Sequence, residues 1–418
     1  MVPLTDLERW VPRLVSAWRG GRRGTRRGAK APAGHLLPDE LREVAAAVAR
    51  LSRGLTRDRE LAGARYLDDE RLLGAYLLFY WPTSYLQARG TISELPATPR
   101  SVLDLGSGPA PMALAALDAG ASEAIACDRS AAALAAARAL AHAARLPLDA
   151  RPWNPARGRP LAEIAPGRRF DLVLAGHLLN ELFRGEGAAL RRAALLEEAA
   201  GLLAPGGSLV VVEPALRETS RALLEVRDLL VVRGYGVRAP CLFRGPCPAL
   251  ARESDWCHAE RPVVPPPLVA DLARAAGLHR DAVKMSYLVL APRGEELPAA
   301  PAPAEPEGAH VFRIVSEPLP SKGRLRYMAC GPEGRMGLAL QEKHVREGNA
   351  RFAGLLRGDV IAVTGAEPRG DGLRLSEESR VEVIAAAGEP PSEARGGPCP
   401  RTPHGSRHEH PRPCVQRP

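Results

Sequence analysis

An apolar run at residues 100–105 leads directly into Gly106-Ser107-Gly108-Pro109, and an alanine-rich stretch with helical spacing follows at once. Few folds accept that order. A buried parallel strand must hand over to a helix through one tight turn, as it does in α/β proteins. Gly106 and Gly108 let the backbone turn and approach a ligand without side-chain interference. Asp128 closes a second short apolar run, residues 124–127, twenty positions beyond Gly108. A carboxylate at the tip of that neighbouring strand is placed to accept hydrogen bonds from two ribose hydroxyls. Pro111 stands where a dinucleotide fingerprint has its third glycine, which argues against a nicotinamide cofactor.

Later segments extend the same sheet. Residues 170–174 form a hydrophobic run followed by Gly176-His177-Leu178-Leu179-Asn180-Glu181-Leu182, and residues 208–212 supply another run behind the turn Ala204-Pro205-Gly206-Gly207. Between them, alanine and leucine recur at helical spacing over residues 188–203, so strand, helix and strand alternate and the sheet is parallel here. The stretch from Val102 to Ser130 resembles the cofactor-binding half of class I S-adenosylmethionine methyltransferases. That resemblance implies that Asp104 faces the methionine end of the cofactor, that Gly106, Ser107 and Gly108 form its loop, and that Asp128 holds its ribose. It also implies that residues 287–290 form a last, antiparallel strand near the edge. His177, Asn180 and Glu181 follow a strand's C-terminal end, where substrates of open α/β sheets arrive, and are the candidates to orient or deprotonate an acceptor. Helix capping and local hydrogen bonding compete for the same three side chains. The Asp/Asn-Pro-Pro-Tyr element that grips an exocyclic base amine is absent, and no Pro-Cys follows the fourth strand.

The chain's 418 residues leave room for two or three domains, and no apolar run reaches the length of a membrane span. The expectation is a soluble protein of the bacterial cytoplasm with no membrane partner; nothing in the residues sets an oligomeric state. A net charge of +9 favours a polyanionic partner. The sharpest cationic cluster, residues 19–30, suits phosphate contacts or a solvated loop. Residues 1–95 read as a helical region, with helices over 36–51 and 60–78, and its aromatic group Tyr76, Phe79, Tyr80, Trp81 and Tyr85 reads as core rather than as a base-stacking platform. The proline-rich residues 293–308 read as a linker and residues 389–418 as a disordered tail.

Cys241, Cys247 and Cys257 fall within a proline- and glycine-broken insertion, residues 238–262, that neither helix nor strand accepts easily. A metal centre would order it, with Cys330 favoured over His258 as the fourth ligand, because adjacent residues such as Cys257 and His258 rarely turn to one ion. Gaps of five and nine residues differ from paired zinc knuckles, so the spacing tilts toward an iron–sulfur cluster, with zinc the alternative. Residues 309–388 carry short strands and read as a small β-barrel whose Lys322, Arg324, Arg326, Lys343 and Arg346 offer a cationic face.

These features together closely resemble the methyltransferase-like family associated with the mitochondrial small ribosomal subunit and its bacterial relatives. The match rests on residues 103–109, 177–182, 241–258, 286–290, 313–318 and Cys330. It implies a Rossmann-like methyltransferase sheet at residues 96–292 with a helical N-terminal region, a cysteine-rich insertion and a small C-terminal β-barrel-like domain. It also implies a four-iron four-sulfur cluster on Cys241, Cys247, Cys257 and Cys330, contact with small-subunit ribosomal RNA, and methyl transfer. A non-catalytic ribosome-assembly factor, and a small-molecule or protein methyltransferase with structural zinc, are the rival functions.

Overall fold

The computed structural model describes residues 7–21, 32–155, 158–297 and 309–387. Most of the 19–30 cluster, the proline-rich residues 298–308 and the tail with Cys399 and Cys414 lie outside them. Within the first sheet the order is β3-β2-β1-β4-β5-β8-β6, with β7 paired to β8. Strands β1 (Ser101–Leu105), β2 (Glu123–Asp128), β3 (Leu148–Pro152), β4 (Phe170–Gly176) and β5 (Leu203–Glu213) run parallel. β8 (Ala282–Arg293) lies antiparallel between β5 and the edge strand β6 (Tyr235–Ala239), and β7 (Ala259–Pro262) extends it. The chain reverses its direction of travel across the sheet between β1 and β4, and ligands of open α/β sheets settle in the crevice outside such a switch point.

Two buried clusters cover the faces of this sheet. On one face, the helix Pro111–Asp118 buries seven consecutive residues, Pro111 to Leu117; its alanines let it lie close on the strands. Outside it sits the helical region: α1 (Val11–Gly21), α2 (Pro38–Thr56), α3 (Glu70–Ala75), a π turn at Tyr76–Tyr80, and α4 (Trp81–Ile92). Phe79, Trp81 and Tyr85 are core, and Tyr76 and Tyr80 pack half-buried against it. Trp81 stacks on Tyr85 at 5.3 Å between ring centroids, and Trp10 and Tyr85 both donate to Asp118 Oδ2 at 2.7 Å. The helix expected over 60–78 does not form as one piece. Asp69 caps α3 by accepting from the Arg71 and Leu72 amides, and residues 57–69 take an irregular path in which Arg59 and Gly63 both have positive φ. Nor do residues 204–207 form a separate turn; they belong to β5, at a register irregularity against β4.

The second sheet is built from β9 (His310–Ile314), β10 (Leu319–Ser321), β11 (Arg324–Gly331), β12 (Gly334–Gln341), β13 (Val360–Arg369) and β14 (Gly372–Ala385) in the order β10-β11-β12-β14-β13-β9, and β9 also pairs with β11, so the hydrogen-bonded order returns on itself. Its core holds Phe312, Tyr327, Leu338, Phe352, Ile361 and Leu375. Among the described residues no helix is long and apolar enough to cross a membrane.

Candidate functional site

At the switch point a cleft opens, lined by Gly106, Gly108, Asp128, Gly176, His177 and Glu181 from the strand ends and by residues 64–68 and Tyr76 from the helical region. Gly106 has φ +66°, and a Cβ there would stand 2.6 Å from Leu178 Cδ1, so both backbone and space call for glycine. Asp128 is 7% exposed; its Oδ2 accepts from the Gly108 amide at 2.9 Å and its Oδ1 from the Ser130 amide at 2.7 Å. Burial raises its pKa, and those same amide bonds pull it back. The carboxylate therefore couples the glycine turn to the β2 tip, with lone pairs left over on the cleft side.

The other sequence candidates divide. Glu181 faces the cleft, accepts from Tyr66 Oη at 3.0 Å and stands 3.8 Å from Arg129; burial pushes its carboxyl up to about 7. His177 lines the cleft with φ +56°, its Nε2 is 2.8 Å from Gln87 Oε1, and burial holds its pKa at about 4, so the ring is neutral. Asn180 is spent internally, donating to His177 O at 2.7 Å and accepting from Arg59 Nη1 at 3.0 Å. Asp104, 1% exposed, does not line the cleft; its Oδ2 accepts from the Ala113 amide at 3.0 Å, beneath the helix that follows the glycine turn, and burial pushes it to about 8. Ser107 is buried in the turn itself, its amide bonded to Cys127 O.

Cys241, Cys247, Cys257 and Cys330 line one cavity between the two sheets. Cys330 thus joins the three insertion sulfurs. Burial raises all four thiols, Cys247 to about 11 and Cys257 and Cys330 to about 12, and each also feels its sulfur neighbours or a nearby arginine. Among the described residues, no group of three or more His, Cys, Asp or Glu side chains is arranged to hold a metal ion. Four arginines, Arg261, Arg313, Arg335 and Arg357, share the lining with His258, and no Asp or Glu does. Arg261 Nη1, Arg313 Nε, Arg335 Nε and His258 Nδ1 are buried without hydrogen-bond partners. The insertion is ordered by arginines of the preceding helix, Arg217–Val232. Arg221 donates to the carbonyls of Ala249, Arg252 and Asp255, and Arg227 to those of Phe243 and Gly245.

Residues 75–355 match the family model described as mitochondrial small ribosomal subunit Rsm22. The chain belongs to this family. No curated protein matches. Among solved structures, an O-methyltransferase family protein from Burkholderia thailandensis is 19% identical, covering 68% of this chain and 83% of its own with a TM-score of 0.37. The ribosomal protein L11 methylase of Lactobacillus delbrueckii subsp. bulgaricus is 14% identical over 51% and 78%, at 0.29. A putative methyltransferase from Streptococcus mutans is 12% identical over 49% and 47%, at 0.33.

In this Rsm22-family chain the cleft has a wall that the sequence did not reveal. Residues 57–69 cross it, held by Arg129 donating to Gly63 O and Ala64 O, by Arg184 to Ala62 O, by Arg59 to Asn180 O, and by the Tyr66–Glu181 bond. On the second sheet, Lys322, Arg324, Arg326 and Lys343 are exposed, while Arg346 pairs with Glu377 at 2.5 Å.

Proposed function

We propose that this chain binds S-adenosylmethionine in the switch-point cleft and works with the small ribosomal subunit, on its RNA. The observation that carries the reading is the convergence of Gly106, Gly108, Asp128 and Glu181 on one cleft at the strand ends of a methyltransferase-like sheet, in a chain of the Rsm22 family. Asp128 would take the ribose hydroxyls, Gly106 and Gly108 the close backbone approach, and Glu181 a cationic group. The cofactor would supply a methyl already activated for transfer. Residues 57–69 would exclude water from it. The RNA partner is favoured by the net charge of +9 and by the exposed cations of the second sheet.

The four cysteines would hold a four-iron four-sulfur cluster. A single zinc ion needs its sulfurs about 2.3 Å from one point, whereas these four are not gathered around one point and share their cavity with four arginines and no carboxylate. That donor set fits a bulky thiolate-bound anion.

One observation favours a second reading, a non-catalytic assembly factor. His177 Nε2 and the Asn180 side chain, at the place where an acceptor would be activated, are engaged with Gln87, Arg59 and the His177 carbonyl. Calorimetry with S-adenosylmethionine, followed by tritiated-methyl transfer to small-subunit RNA with the full chain, tests both. Binding with transfer supports methylation, binding without transfer on any subunit preparation supports the assembly factor, and no binding overturns the cofactor reading.

A further inference from the structure

The cysteine cavity carries one positive charge too many. Glu94, at the end of the helical region, is 4% exposed in its side chain. It accepts from Arg261 Nη2 at 2.7 Å and from Tyr287 Oη at 2.6 Å, and lies 3.2 Å from Arg313 Nη2. Two guanidinium groups thus share one carboxylate. Space for the first is made by Gly90, where a Cβ would fall 1.8 Å from Arg261 Nη1. Arg313 sits directly across the β9–β11 ladder from Cys330. The other cavity cations are answered elsewhere, Arg335 by Asp255 at 2.9 Å and Arg357 by Glu317 at 3.1 Å. A largely buried guanidinium without a counter-ion of its own is unfavourable, and neutral thiols do not offset it. An anionic centre on the four sulfurs does.

Resting on the cluster reading above, we infer that Arg313 and Glu94 set the reduction potential of that centre and make it an electron-accepting site rather than a passive clamp. A thiolate-bound iron–sulfur core is a net anion, and one added electron makes it more negative. In the step considered, a one-electron donor such as dithionite is oxidised, the core is reduced, and no iron–thiolate bond breaks. Surplus guanidinium charge beside such a core stabilises the more negative state and raises the potential. Arg313 acts in that direction and Glu94 against it.

This predicts shifts of opposite sign, which a merely structural pair would not give. Full-length protein, purified anaerobically, is titrated with dithionite in the presence of mediator dyes and followed by visible absorbance and electron paramagnetic resonance. Arg313→Met should lower the reduced fraction at fixed potential at least tenfold, a shift of about 59 mV for one electron, and Glu94→Gln should raise it. Arg313→Lys, which keeps the charge, should fall between wild type and Arg313→Met and guards against a misfolded methionine variant. A cluster whose midpoint ignores these substitutions, or moves the same way for Arg313→Met and Glu94→Gln, overturns the inference alone. Protein that carries zinc, or no metal, on the cysteines overturns the cluster reading and the inference with it.

Discussion

Replacing Asp128 by Asn isolates what its charge does for a ligand. Alanine is a poor probe, because it would strand both the Gly108 and the Ser130 amides, each bonded to one carboxylate oxygen. An orphaned buried donor costs about 1–3 kcal/mol. Asparagine keeps the shape and one acceptor, so it loses one of the two amide bonds and should destabilise the empty protein by about 1.5–3 kcal/mol, the value of a hydrogen bond to a charged group. The ribose hydroxyls would lose a charged acceptor of the same kind, which is roughly a further 10- to 100-fold in Kd. Calorimetry with S-adenosylmethionine and with its demethylated product should show the same loss for both, since the ribose is common to them. Thermal unfolding of the empty variant reports the turn separately. If unfolding shifts down while both affinities stay within about threefold of wild type, Asp128 is a strut between turn and strand and the ribose assignment is refuted.

The Glu181 carboxyl is raised by burial from 4.5 to about 7, so protonation favours the folded state. That contribution is fully present below 4.5 and is lost as pH rises through 7. The empty wild type should therefore lose stability across this window relative to Glu181→Gln, while affinity for the sulfonium cofactor rises over the same range only when Glu181 is present; flat binding from pH 6 to 8 would remove it from the site. Gly106→Ala must accept φ +66° and crowd Leu178, at about 1–2 kcal/mol for the backbone alone; denaturant melts should show this loss together with weakened cofactor binding. Cys330→Ser should remove iron, labile sulfide and visible colour from anaerobically purified protein, measured by elemental analysis and absorbance, whereas stoichiometric zinc in the native protein would refute the cluster. Arg324→Gln with Arg326→Gln should lower the slope of log K against log salt for small-subunit RNA by about 2 if each neutralises one phosphate; an unchanged slope places the RNA elsewhere.

The glycine turn and Asp128 were legible because their meaning is local: strand, turn, helix and strand tip lie within thirty residues, and periodicity reports burial directly. The meeting of Cys330 with the three insertion sulfurs came from counting ligands, and one cavity receives all four. What escaped is long in sequence and carried by side chains with no period. The bond from Tyr66 to Glu181 spans 115 positions, and that from Glu94 to Tyr287 spans 193. β6 and β7 escaped because one is broken by Gly236 and the other is a four-residue edge segment ending in proline. Arginine is the instructive failure. Read as composition, it suggested a surface for phosphates. In the fold, Arg59, Arg129, Arg184, Arg221 and Arg227 bind backbone carbonyls, and Arg261 and Arg313 close on a buried carboxylate. An alanine-rich chain packs closely but offers few polar side chains to tie irregular segments, and guanidinium forks reaching for carbonyls take over that work.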